Sequence, residues 1–163
     1  MSHKKEKMIH LGHAYYSVSL EKHGRLKLPS ALLKSIPENE RRSFFVTHGF
    51  GNHIFLWTKT EADKQNAFLD TLDYSDTEFK LFRNAFLLDS QSIDSDSQDR
   101  IVIPKTFLEQ YQFQNEVVLL FSNGIIEVWD YNYYSSKFKM SPESLEELNK
   151  NIHARLALQN LQK

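Results

Sequence analysis

The segment Leu20-Glu21-Lys22-His23-Gly24-Arg25-Leu26-Lys27-Leu28-Pro29 decides the reading of this chain, because it returns later as Ser95-Asp96-Ser97-Gln98-Asp99-Arg100-Ile101-Val102-Ile103-Pro104. In both, a carboxylate stands four residues before an arginine and a proline four residues after it. Each is followed by a short stretch with an apolar helical face: Ala31, Leu32, Leu33 and Ile36 in one, Phe107, Leu108 and Tyr111 in the other. Farther on, Ile54-Phe55-Leu56-Trp57 is echoed by Ile126-Glu127-Val128-Trp129. Matches that recur in one order indicate a duplicated unit.

Local chemistry gives that unit a shape. Tyr16 to Leu20 alternates in polarity and reads as a half-buried strand. The stretch that follows is turn chemistry, since Gly24 adopts positive φ freely and Asp99 is among the few other residues that visit it. Leu26-Lys27-Leu28 and Ile101-Val102-Ile103 resume an extended chain, which Pro29 and Pro104 end, because proline cannot donate to a ladder but suits the first turn of a helix. Two further strand pairs are expected: Ser43 to Thr47 with His53 to Trp57, and Glu116 to Phe121 with Ile125 to Trp129. Gly49, Gly51, Asn123 and Gly124 fall in their turns.

Between the copies, Thr60 to Leu72 reads as a helix capped by Thr60, with Ala62, Ala67, Phe68 and Leu72 on its apolar face. Asp76 to Leu88 reads as a second, carrying Phe79, Phe82, Phe86 and Leu87. Ser141-Pro142-Glu143 is a helix start, and Leu145, Leu148, Ile152 and Leu156 stripe the helix that follows. That stripe is expected to dock on its own subunit or on a neighbour. The chain is therefore α+β, with two pseudo-symmetric small repeats and intervening and C-terminal helices. Its expected organisation is a flexible tail over 1–7, a first repeat over 8–59, a helical connector over 60–88, a second repeat over 89–134 and a C-terminal helix over 135–163.

Bulk properties narrow the function. The 163 residues are 40% hydrophobic and 13% aromatic, enough for a packed core. No apolar run is long enough to cross a bilayer, and no signal-peptide pattern opens the chain. The absence of cysteine excludes disulfides and thiolate zinc sites. A formal charge of -1 requires any nucleic-acid contact to rest on local clusters of cations.

Such a cluster surrounds the first turn, where Lys22, His23, Arg25 and Lys27 lie close together in sequence, with Lys34 beyond. An arginine at the tip of such a loop reaches a phosphate or binds guanine bidentately, with the carboxylate four residues earlier holding the guanidinium or the loop backbone. Glu21 with Arg25 and Asp96 with Arg100 also fit plain ion pairs across a turn, worth little in water. Asp89, Asp94, Asp96 and Asp99 surround Arg100 with only Lys105 to offset them, so the first copy is expected to dominate anion binding.

Other chemistries find no support. The acidic run from Asp94 to Asp99 fails the calcium-loop template, which wants glycine at Asp99 and glutamate at Lys105. His10, His13, His48 and His53 match no metal spacing and read as scattered surface or core residues. Trp57 and Trp129 are expected in the two halves of the core, and the phenylalanines between the copies read as helix-core residues. No phosphate loop, nucleophile elbow or paired catalytic signature occurs, so neither an enzyme nor a cofactor or metal is expected.

The repeat, the Leu-acidic-x-x-Gly-Arg-x-x-x-Pro segment and the closing Ile-Glu-Val-Trp-Asp resemble the MraZ family of bacterial transcriptional regulators. The resemblance covers roughly Met8 to Tyr134, and Met8-Ile9-His10-Leu11-Gly12 resembles the family's usual start. It implies two AbrB-like swapped-hairpin units forming small barrels. It further implies a cytoplasmic, nucleoid-associated protein that assembles into a ring-like homo-oligomer and binds short direct repeats of double-stranded DNA upstream of division and cell-wall genes. The family's DNA-contacting signature falls on Glu21 with Arg25 and on Asp96 with Arg100, which with Lys22, His23, Gly24 and Lys27 make up the implied DNA-binding set. Departures are Glu21 for the usual aspartate, His23 where lysine is common, Asp99 for the second glycine, and no arginine between Pro29 and Lys34. Each removes positive charge or alters the loop. The alternative is a non-enzymatic assembly or protein-binding scaffold with weak or lost DNA binding.

Overall fold

Every apolar alternation in the two copies becomes a strand. In a computed structural model, which describes residues 14–163, the first copy contributes β1 (Ala14–Ser19), β2 (Arg25–Lys27), β3 (Ser43–His48) and β4 (Ile54–Trp57). The second contributes β5 (Gln91–Asp94), β6 (Arg100–Val102), β7 (Glu116–Ser122) and β8 (Ile125–Asp130). The helices are α1 (Ser30–Lys34), α2 (Lys59–Asp70), α3 (Thr77–Phe86), α4 (Lys105–Gln110), α5 (Tyr131–Phe138) and α6 (Pro142–Leu161). This is an α+β chain. The stretch Met8 to Gly12, with His10 and His13, lies outside the described residues.

Six strands form one antiparallel sheet in the order β1-β7-β8-β4-β3-β5, and β2 pairs with β6 in a separate ribbon. The order is a palindrome of the two copies: β4 and β8 meet at the centre, and the first strand of each copy pairs with the third strand of the other. The halves are thus interlocked. Where small barrels were expected the sheet stays open at β1 and β5, because β2 and β6 satisfy each other instead of closing its edges.

Leu26 and Ile101, on the inner face of the ribbon, are fully buried with Phe44, Leu56, Leu119, Ile126 and Val128 of the sheet. Leu32 of α1 and Phe107 of α4 complete this core. A second cluster joins Phe55 and Trp57 to Leu69 of α2 and Phe86 of α3. Trp57 donates to Thr47 Oγ1 at 2.8 Å, whereas Trp129 stacks on the ring of His53 at 4.3 Å and donates to Glu127.

The helices depart from expectation in register. Thr58, not Thr60, precedes α2, and its buried contacts run through Ala62, Leu69 and Leu72, while Ala67 and Phe68 face outward. Docking against Trp57 selects Leu69, which the local pattern did not single out. In α3, Asp76 caps the helix by accepting from the backbone of Glu78 and Phe79, and Phe79 remains 39% exposed. Helix α5 was not anticipated. The chain divides into a compact unit ending at Asn132 and a second, Tyr133–Lys163, in which Ser141 caps α6 as expected. None of the α6 side chains is buried.

Candidate nucleic-acid interface

The two turns share one pattern of backbone hydrogen bonds. The backbone N–H of Glu21 donates to the carbonyl of Arg25 at 2.8 Å, and that of Asp96 to Arg100 at 2.9 Å. Gly24 donates to Glu21, and Asp99 to Asp96, both at 3.2 Å. The turns also lock each other: Ile103 donates to the Gly24 carbonyl at 2.8 Å and Leu28 to the Asp99 carbonyl at 2.9 Å. Gly24 has φ of 83° and Asp99 of 60°, the left-handed geometry their residue types allow. His23 also sits at φ 63°, which the sequence did not signal.

Both carboxylates hold their arginines. Glu21 Oε2 accepts from Arg25 Nε at 2.6 Å, and Asp96 Oδ2 from Arg100 Nε at 2.7 Å. Asp96 does more, since its Oδ1 accepts from the backbone of Gln98 at 2.8 Å and of Arg100 at 3.0 Å. The Arg100 backbone N–H, with help from its guanidinium and against some desolvation, holds the Asp96 carboxyl below the usual range. Glu21 precedes its turn without capping it. The longer glutamate orients the arginine; the shorter aspartate orients both arginine and loop.

Arg25 and Arg100 open strands rather than crown loops. Lys22, His23 and Gly24 form the first turn itself, with Lys22 and His23 exposed and Gly24 buried. In the ribbon Arg25 pairs with Val102, Leu26 with Ile101, and Lys27 with Arg100. Because side chains alternate across a strand, Arg25, Lys27, Arg100 and Val102 share the outward face. The sequence alone places the arginines in separate loops of unequal field, whereas strand pairing sets Arg100 directly across from Lys27. The side chains of Arg25 and Glu21 are each 47% exposed, that of Arg100 only 27%. The spacing of Arg25 and Lys27 already hinted at a shared face, but nothing local identified β6 as the partner of β2.

The remaining candidates have structural roles. His48 is buried and hydrogen-bonded through Nδ1 to the Tyr111 hydroxyl, and His53 lies between Phe55 and Trp129. Burial lowers the pKa of His53, against raising contributions from the Ile54 carbonyl and Glu127. Among the described residues no group of three His, Asp or Glu is placed to hold a metal. A cleft of about 820 Å³ is bounded by Glu40, Thr58, Glu61 and Lys64. No helix of the described residues is long and apolar enough to cross a membrane.

Three known proteins with similar sequences share one description. The transcriptional regulator MraZ of Cytophaga hutchinsonii is 24% identical over 129 residues, 79% of this chain and 85% of the relative. That of Acetivibrio thermocellus is 28% identical over 135 residues, covering 81% and 92%. The chain is thus similar to MraZ regulators over about four fifths of its length. The MraZ of Treponema denticola agrees, at 26% identity over 136 residues, 81% of this chain and 90% of its own. All three MraZ relatives are described as regulators and none as an enzyme. No protein-family model matches the chain.

Proposed function

We propose that this protein is a sequence-specific, double-stranded DNA-binding transcriptional regulator that reads the major groove with the outward face of the β2·β6 ribbon. The observation that carries the proposal is the like-charged pair Lys27 and Arg100, directly opposed beside Arg25. Like charges across a strand pair cost stability; Asp96 already offsets part of that cost at Arg100, and the phosphates of a bound duplex offset the remainder. A two-stranded ribbon fits the major groove of B-form DNA, and a carboxylate-held guanidinium is set to bind guanine bidentately. Lys22 and His23 then flank the phosphate backbone, with Glu21, Gly24 and Asp96 shaping the two turns.

Following the MraZ resemblance, the AbrB-like pairing of two swapped hairpins is the recognition unit, its bounds those of the repeats at 8–59 and 89–134 around the 60–88 connector. Ring-like homo-oligomers place several such ribbons on short direct repeats, so modest contacts per subunit add through multivalency. The targets are then direct repeats upstream of division and cell-wall genes, in a cytoplasmic, nucleoid-associated protein that needs no cofactor.

The test is fluorescence anisotropy with duplexes carrying direct repeats of the protein's own upstream sequence, across a salt series. Binding is expected to weaken steeply with salt. Arg25→Ala is expected to lose more affinity than Arg100→Ala, in line with their exposure. No binding to any repeat at low salt would favour the assembly or protein-binding scaffold, a reading for which α6, with no buried side chain, speaks.

A further inference from the structure

The outward face of the ribbon carries three cations and a single apolar side chain, Val102. Val102 is 51% exposed, in a strand whose inner residue Ile101 is fully buried, so it adds little to the core. It pairs directly with Arg25 and lines, with Glu21, Lys22, His23 and Arg25, an open cleft of about 480 Å³. An apolar group is thereby held beside a guanidinium whose Nε is fixed by Glu21.

We propose that Val102 is a specificity-determining residue that reads the 5-methyl group of a thymine neighbouring the guanine contacted by Arg25. This rests on the DNA-binding reading above. Directly opposed side chains on a ribbon stand about 5 Å apart at Cβ, close to the spacing of adjacent base pairs, about 3.4 Å along one strand. A long arginine and a short valine at that separation address neighbouring bases. The thymine methyl projects into the major groove and is the one apolar feature there, matched by apolar side chains. Valine has no hydrogen-bonding group, so it discriminates by the methyl alone. The cations around it hold the duplex but do not distinguish thymine from cytosine or uracil by a methyl contact.

The experiment uses the full chain and a duplex selected by the wild-type protein from a random pool. Each thymine of that duplex is replaced in turn by deoxyuridine, which deletes the methyl and nothing else. One position per half-site is expected to weaken wild-type binding about three- to tenfold, the scale of one buried methyl group. Val102→Ala is expected to bind the thymine and uracil forms of that duplex equally. Its exposed position leaves the fold intact, which a melting curve verifies. Val102→Thr, which keeps one methyl and the β-branch, is expected to give an intermediate ratio. A wild type indifferent to every replacement, or a Val102→Ala protein that keeps the full ratio, overturns the role of Val102 while leaving DNA binding standing. A wild type that selects no duplex even at low salt overturns the DNA reading, and this inference with it.

Discussion

Gly24 and Asp99 occupy equivalent positions with unequal tolerance for a side chain. A Cβ on Gly24 would lie 2.7 Å from the Ile103 carbonyl oxygen and 2.7 Å from Leu108 Cδ1, at a φ of +83°. Gly24→Ala therefore combines backbone strain with a clash against a hydrogen-bonded carbonyl, and is expected to cost about 2–3 kcal/mol in denaturant unfolding. Asp99→Gly relieves a left-handed residue and adds unfolded-state freedom, so its change is expected within about 1 kcal/mol. A Gly24→Ala protein as stable as wild type would contradict this account of the turn.

Titration follows from burial. His53 has its pKa lowered chiefly by desolvation, so its protonation favours the unfolded chain. Its contribution to stability is complete above the ordinary histidine value of about 6.5 and is lost as pH falls through that value toward the depressed folded one. Melting temperature is thus expected to fall between about pH 7 and pH 5, and His53→Phe, which keeps a ring against Trp129, to flatten that slope. Asp96 behaves as a depressed carboxyl: its contribution holds above the ordinary aspartate range and disappears as pH falls through the folded value. In an NMR titration its carboxyl is expected to protonate below an unperturbed aspartate.

At the scale of elements, the binding role proposed for the β2·β6 ribbon opposes its stability. Lys27 and Arg100 are cross-strand neighbours of like charge. Lys27→Gln is expected to stabilise the free protein by up to about 0.5 kcal/mol at low ionic strength, a gain that shrinks as salt screens the pair, while weakening duplex binding. Calorimetry at two salt concentrations measures the first effect and anisotropy the second. A stability loss in Lys27→Gln would remove the argument that the pair is retained for an external anion. Helices α1 and α4 are reliable in sequence because Pro29 and Pro104 mark their starts and apolar residues their inner faces. In helix α2 the contact with Trp57 and Phe86 outweighs the local spacing that favours Ala67 and Phe68.

For the whole molecule, the palindromic strand order makes each half depend on the other. Without the second copy, β1 lacks β7, β3 lacks β5 and β2 lacks β6. A fragment ending at Leu88 is therefore expected to be unfolded as a monomer, or to fold only as a dimer whose second copy supplies the missing strands. Sedimentation with circular dichroism distinguishes these from a folded monomer, which would refute the interlock. The two compact units also differ in what their apolar residues do. Leu119→Ala, at a fully buried site, is expected to cost about 2–5 kcal/mol, whereas Ile152→Ala on exposed α6 is expected to cost under about 1 kcal/mol.

The turns at Gly24 and Asp99, the strand pairs β3·β4 and β7·β8, and the arginine–carboxylate pairs were all legible in the sequence. Each depends on interactions among residues within a few positions of one another, where alternation, glycine and proline report the backbone directly. The interlocked sheet order, the open edges and the pairing of β2 with β6 were decided by tertiary structure. They join residues far apart in sequence, Leu26 with Ile101, Ala14 with Phe121 and Ser43 with Asp94, and no local pattern records which of several compatible strands becomes the partner. The same limit applies to the candidate site: its arginines were visible one at a time. Only the ribbon brings Arg25, Lys27, Arg100 and Val102 onto one face, because buried Leu26 and Ile101 must point together into the core.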